Sequence, residues 1–209
     1  MPSPRAAHLA AIGFRVKTGR AIAVALAGPR ANPRLLFRRE VLLHDPNVPE
    51  SRQPHHGAIM PFVPAKPEAV ARGKKAAQRV AIAAVRALSE ELRAAGCKLA
   101  GVALVVSSNP DVNRIGSSHV RAHALEGILF RQVLEDGARA SRLPSILILE
   151  REVLPRASAA LPRPAGELRR VLARFGKEIG SPWRADEKSA TLGAWLALAA
   201  RPRKQRLML

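Results

Sequence analysis

Leu99-Ala100-Gly101-Val102-Ala103-Leu104-Val105-Val106 runs without a charge and stops at Ser107-Ser108-Asn109-Pro110. A continuous apolar run of this length, closed by turn-forming residues, predicts a strand buried on both faces, as in a parallel sheet. A parallel strand needs a crossover to reach its place, and the residues before it supply one. Glu68 to Ala95 is rich in Ala, Glu, Lys, Arg and Leu, and Ala81, Val85, Leu88 and Leu92 form one apolar helical stripe. Gly96 ends that helix as a C-cap residue.

Working outward, Ile12 to Val16 and Ala21 to Leu26 are short strand-like runs joined by Lys17-Thr18-Gly19-Arg20, which suits a tight hairpin. Leu35 to Leu43 alternates as a third strand. The stretch His44 to Pro67 holds six prolines and reads as a long irregular loop. Beyond the buried strand, His119 to Ala140 predicts a helix with Leu125, Ile128, Leu129 and Val133 inward, and Ile146 to Leu149 a second buried strand. Helices over Ala165 to Phe175 and Pro182 to Ala200 follow, then a basic tail of Arg201, Arg203, Lys204 and Arg206. No internal repeat is evident. The expected fold class is α/β: a mixed five-stranded sheet, with a three-strand antiparallel meander and two parallel strands, flanked by helices. One domain is expected for 209 residues, with its core over about residues 10 to 200.

Composition narrows the function. The formal charge is +19, from 35 Lys and Arg against 16 Asp and Glu, which points to phosphates and makes nucleic acid the expected partner. Codon bias accounts for arginine over lysine but not for so few carboxylates. One cysteine, Cys97, excludes a disulfide scaffold and a zinc finger. Aromatics are 3% with no tyrosine, so stacking platforms for single-stranded bases are poorly supplied. No apolar run suits a membrane span and Met1 to Ala11 lacks a signal-peptide core, so a cytoplasmic protein without membrane contact is expected.

The strand order, the opening Ile12-Gly13-Phe14-Arg15-Val16-Lys17-Thr18-Gly19 and the late Asp186-Glu187-Lys188-Ser189-Ala190 resemble the ribonuclease H-like superfamily. That superfamily includes Holliday-junction resolvases, transposases and integrases, and more distantly the actin-like phosphate-binding domains. The resemblance implies acids on the first strand, at the end of the fourth strand and on the last helix, converging on two divalent ions, Mg2+ or Mn2+. This chain departs from that pattern. Gly13 and Arg15 stand where the leading aspartate is expected, Ser107 and Ser108 end the fourth strand, and only Asp186 matches an implied acid. An arginine there repels a cation, so the two-metal site is expected to be missing.

Other acids could rebuild a site. Asp111 follows the fourth strand and Glu150 ends the fifth, both at the carboxyl edge where open α/β sheets gather ligands, and they would join Asp186 and Glu126 in a relocated nuclease centre. His119, His123 and Glu126 share one helix face and suit a metal, a polar network at the sheet edge, or structural histidines. An ionised Glu126 facing the sheet needs a cation, and Arg15 is the expected partner. In the Pro-rich loop, His44-Asp45 and His55-His56 are either solvated or part of a lid over the sheet edge. Arg72, Arg79, Arg86 and Arg93 recur every seven residues with Lys75 beside them, a straight basic stripe for phosphates or a solvated face. Arg15, Lys17 and Arg20 add basic groups at the first hairpin, whose backbone N–H groups also suit a phosphate.

The expected function is therefore a nucleic-acid-binding or accessory protein without the standard metal site. The alternatives are a metal-dependent nuclease built on Asp111, Glu126, Glu150 and Asp186, and a phosphate-binding or scaffold module, as a homodimer through the Trp195 helix.

Overall fold

The computed structural model describes residues 8–59 and 62–200; the expected basic tail lies outside them. Three strands, β1 (His8–Lys17), β2 (Arg20–Ala27) and β3 (Arg34–Leu42), form the antiparallel meander. Then come β4 (His56–Ile59), β5 (Phe62–Pro64), α1 (Pro67–Ala94), β6 (Cys97–Val106), α2 (Ser118–Ala140), β7 (Ser145–Leu149), α3 (Glu150–Ala160), α4 (Ala165–Ile179) and α5 (Ala185–Ala199). The main sheet has the order β3-β2-β1-β6-β7, with β6 parallel to β1 and β7 parallel to β6. The mixed five-stranded sheet is thus as the apolar runs predict. The helix α1 ends where Gly96 takes a φ of 76°, a left-handed C-cap that glycine adopts without steric cost.

Side chains alternate across the sheet and build two cores. Ile12, Phe14, Val102 and Leu104 pack with Ala81, Val85, Phe130 and Val133 under α1 and α2. Ala11, Ala103 and Val105 pack on the opposite face with Leu168, Leu192 and Trp195 under α3, α4 and α5. Helix α5 is apolar almost all round and is enclosed, as such helices must be. Trp195 is 1% exposed and its Nε1 donates to the Arg30 carbonyl at 2.8 Å. The Trp195 side chain is therefore spent inside the core and not on the homodimer contact expected of its helix.

Two segments differ from what the sequence predicts. The Pro-rich segment is not irregular throughout: it holds a 3-10 turn at Pro49–Ser51 and the β4–β5 hairpin. Glu150 does not terminate a strand but opens α3, a helix the sequence hides because Pro155 lies inside it. Val153 and Ala157 anchor α3 in the core, so tertiary burial overrides the missing backbone donor.

One close approach positions the site. A Cβ at Gly13 would lie 1.9 Å from the Ala190 carbonyl oxygen and 2.5 Å from the Ala194 nitrogen, so only glycine lets α5 rest on β1. Asp186 lies one turn before Ala190, and Arg15 and Lys17 follow Gly13 on the same face of β1. The contact therefore brings Asp186 over both cations.

Candidate functional site

Because β1, β6 and β7 run parallel, their carboxyl ends share one edge, and Arg15, Ser107 and Glu150 meet there. Arg15 is 2% exposed. Its Nε and Nη2 donate to the two oxygens of Glu150 at 3.1 and 2.5 Å, a forked pair. Nη2 also donates to Ser107 Oγ at 2.9 Å, and Nη1 to the carbonyls of Val16 at 3.0 Å and Val105 at 3.5 Å. Asp186 Oδ1 lies 3.5 Å from Arg15 Nε and 3.0 Å from Lys17 Nζ. A buried guanidinium is tolerable only with such matching, because an unpaired charge taken out of water costs several kcal/mol.

The resemblance implies divalent ions at this edge, and the donor set does not fit them. Both Glu150 oxygens accept from Arg15, and Asp186 is shared between Arg15 and Lys17. A cation placed among them would face a fixed guanidinium.

Of the four acids named from sequence, the structure joins two. Asp111 instead accepts from the Asn113 N–H at 3.1 Å and caps the Val112–Arg114 turn. Glu126 is fully buried in α2, on the other face of the sheet. The expected Arg15–Glu126 pair is therefore wrong: alternation along β1 sends Arg15 toward α5, whereas α2 covers the face that takes Phe14.

Glu126 serves a different group. Its Oε1 accepts from the His55 backbone N–H at 2.7 Å and lies 3.1 Å from His56 Nδ1. Burial pushes its carboxyl up to about 7, against the opposing pull of the His55 N–H and of Lys74. The His56 side chain is 2% exposed, its pKa is lowered by burial, and its Nε2 has no hydrogen-bond partner. The β4–β5 hairpin sets this ring against His123, with centroids 4.7 Å apart, and His119, at 5.9 Å. His119 and His123 approach Nε2 to Nε2 at 2.9 Å, and Phe62 stacks on His119 at 4.9 Å. One nitrogen from each of His56, His119 and His123 falls within 4.8 Å of the others. Burial, then His56 and His119, lower the His123 pKa. His55 points away into a second cleft with Phe62 and Arg121, and its pKa falls to about 4, chiefly through burial.

Sequence reasoning found His119 and His123 but not their third member. His56 stands 63 positions before His119 in the chain, and the short hairpin that carries it gives little periodic signal. His44 stays apart, with Nδ1 at 2.9 Å from the Gly19 carbonyl.

The basic stripe on α1 is partly neutralised. Arg72 pairs with Glu50 at 2.9 Å and Arg79 with Asp45 at 2.6 Å, which ties the Pro-rich segment to the helix. Arg93 donates to the Ser141 carbonyl, and Arg20 pairs with Glu40. Lys75 and Arg86 make no ion pair among the described residues. A cleft of about 230 Å³ lined by Lys17, Thr18, Ser107, Ser108 and His123 lies between the Arg15 edge and the histidines.

With these positions established, comparison with known proteins bears on the fold. No family model and no curated protein matches the sequence. Among solved structures, the chain is similar to Thermus thermophilus RuvC in complex with Holliday junction substrate. The TM-score is 0.52 at 14% identity, covering 90% of this chain and 91% of that one. The fold is ribonuclease H-like. A second structure of Thermus thermophilus RuvC aligns with a TM-score of 0.49 at 13% identity, covering 89% and 91%. Among the described residues, no helix is long and apolar enough to cross a membrane.

Proposed function

We propose that this chain is a nucleic-acid-binding protein of ribonuclease H-like fold in which an internal arginine has taken the place of the catalytic ions. The observation that carries the reading is the Arg15 guanidinium forked onto Glu150 and within 3.5 Å of Asp186 at the carboxyl edge of the sheet. A guanidinium there supplies positive charge to hold the acids in place, but it cannot polarise a water or a phosphoryl oxygen as a divalent ion does. The nucleic-acid part rests on the +19 charge and on the fold shared with RuvC, which has been captured on a Holliday junction. Lys17, Ser107 and Ser108 line a cleft beside the Arg15 edge, and Arg20, Arg72, Lys75 and Arg79 form outlying basic groups. A nuclease built on Asp111, Glu126, Glu150 and Asp186 is disfavoured because those acids belong to three separate networks.

The test combines binding and cleavage on four-way junction, duplex and RNA–DNA hybrid substrates. Binding should weaken steeply with salt, with a slope of about −0.9 in log K per phosphate contact on duplex DNA. No strand should be cut in Mg2+ or Mn2+. A salt-independent or absent interaction defeats the nucleic-acid reading, and metal-dependent cutting abolished by Asp186→Asn restores the nuclease.

A further inference from the structure

We infer that His56, His119 and His123 form a mononuclear site for Zn2+, or a similar imidazole-favouring divalent transition ion, with Glu126 as the residue that orients His56. The site is independent of the Arg15 edge. Three observations converge on it.

The first is the donor set. One nitrogen from each ring lies within 4.8 Å of the others, and His119 and His123 occupy successive turns of one face of α2. Nitrogens held tetrahedrally at 2.0–2.1 Å from zinc lie roughly 3.3 Å apart. The His119–His123 separation of 2.9 Å reaches that value by a small side-chain rotation. Three imidazoles suit Zn2+, Co2+, Ni2+ or Cu2+, whereas Mg2+ and Mn2+ favour oxygen.

The second is a stranded lone pair. In the tautomer that serves an ionised Glu126, His56 gives its Nδ1 hydrogen to Oε1, 3.1 Å away, and keeps Nε2 as an acceptor, an atom that is buried without a partner. Buried polar atoms are nearly always satisfied, so an orphan in a cluster of ring nitrogens points to something that binds there. The third is Glu126 itself. A carboxylate that fixes the tautomer and orientation of a histidine through its far nitrogen is a recurrent support for metal ligands. The His55 N–H fixes the same oxygen in turn, and Phe62 stacks on His119 to hold the second ring.

Three protein ligands leave a tetrahedral ion one open position, as in catalytic rather than closed structural zinc sites. His123 is exposed and also lines the cleft with Lys17, Ser107 and Ser108, so water or an anion can reach the ion from that side.

Full-length protein freed of metal with EDTA is titrated with Zn2+ by calorimetry and with Co2+ by visible absorption. One ion per chain should bind with micromolar or tighter affinity, and Co2+ should develop the intense bands of a four-coordinate centre. His123→Ala changes an exposed side chain, so the apo fold should melt as the parent does while Zn2+ affinity falls by more than about 100-fold. His119→Ala should lose the Co2+ bands. Glu126→Gln should weaken Zn2+ by about 10-fold or more while keeping one ion per chain. His8→Ala, on an exposed strand end, should change nothing. No saturable binding, or binding that survives both His119→Ala and His123→Ala, overturns the site, and full affinity in Glu126→Gln overturns the orienting role.

Discussion

The Arg15 edge and the histidine cluster are both polar centres inside a small α/β core, yet their accounts balance differently. Around Arg15, the guanidinium, Glu150, Asp186, Lys17 and Ser107 all find partners, and no atom of the five is left buried and alone. In the cluster, His56 Nε2 and Glu126 Oε2 are both buried without partners. A saturated network lowers the energy of the fold and leaves its acids committed to the cations already there rather than to an added metal ion. An unsaturated one lowers the stability of the fold until something completes it. The two centres therefore differ in what they leave open: the acids at the Arg15 edge are committed to cations of the chain itself, whereas the histidine cluster on the other face of the sheet keeps a ring nitrogen and a carboxylate oxygen unpartnered.

The largest effect is expected of Arg15→Ala. It removes the cation shared by Glu150 and Asp186 and leaves a cavity beside β6. Loss of one partner from a fully buried pair costs about 3–5 kcal/mol. Because Glu150 and Asp186 are 35% and 27% exposed, water takes up part of that loss, and about 2–3 kcal/mol is expected. Urea denaturation reads this as a lower midpoint at an unchanged slope. A midpoint like the parent's would show that the edge carries no structural role.

How much of this was legible in the sequence depended on the range of the signal. The meander, the crossover helix and the buried strand at Leu99 to Val106 each declared themselves through local periodicity, and each stands within two residues of its expected bounds except the first strand, which begins four residues earlier, at His8. That Gly13 and Arg15 stand where the resemblance implies an acid was equally plain, because it needs only those two positions to be read in place. Partner choice was not legible. Arg15 and Glu150 are 135 positions apart, and which of several acids reaches Arg15 is decided by strand alternation and by how closely α5 rests on Gly13. His56 was hidden for a similar reason, since a four-residue strand after several prolines carries almost no periodic information.

Within the histidine cluster the expected cost is smaller. Glu126→Ala in metal-free protein leaves the His55 N–H and the His56 Nδ1 hydrogen unsatisfied, which costs about 1–3 kcal/mol. Glu126→Gln keeps an acceptor at the same place and should cost well under half as much by the same urea measurement. If Gln is as damaging as Ala, then the negative charge, rather than the hydrogen-bond geometry, supports this region in the apo protein.

The smallest effect concerns the strap that carries His56 to α2. Asp45 is held below the usual carboxylate range first by the Asn47 backbone N–H and then by Arg79; Glu50 is held below it by its own backbone N–H and then by Arg72. A depressed folded-state pKa means that stability is present above the unfolded value and lost as pH falls through the folded one. The window therefore opens below about pH 4, and nothing should change between about pH 5 and 8 on this account. Both arginines are more than half exposed, so the pairs are weak and sensitive to salt. Melting curves of the Asp45→Asn, Glu50→Gln double variant should match the parent in high salt. In low salt the variant should lose less of its melting temperature than the parent on acidification from pH 5 to pH 3. Equal losses would mean that the strap is held by its packing against α1, through Ser51 and the close approach of Gly73 to the Glu50 carbonyl, and that its ion pairs contribute nothing.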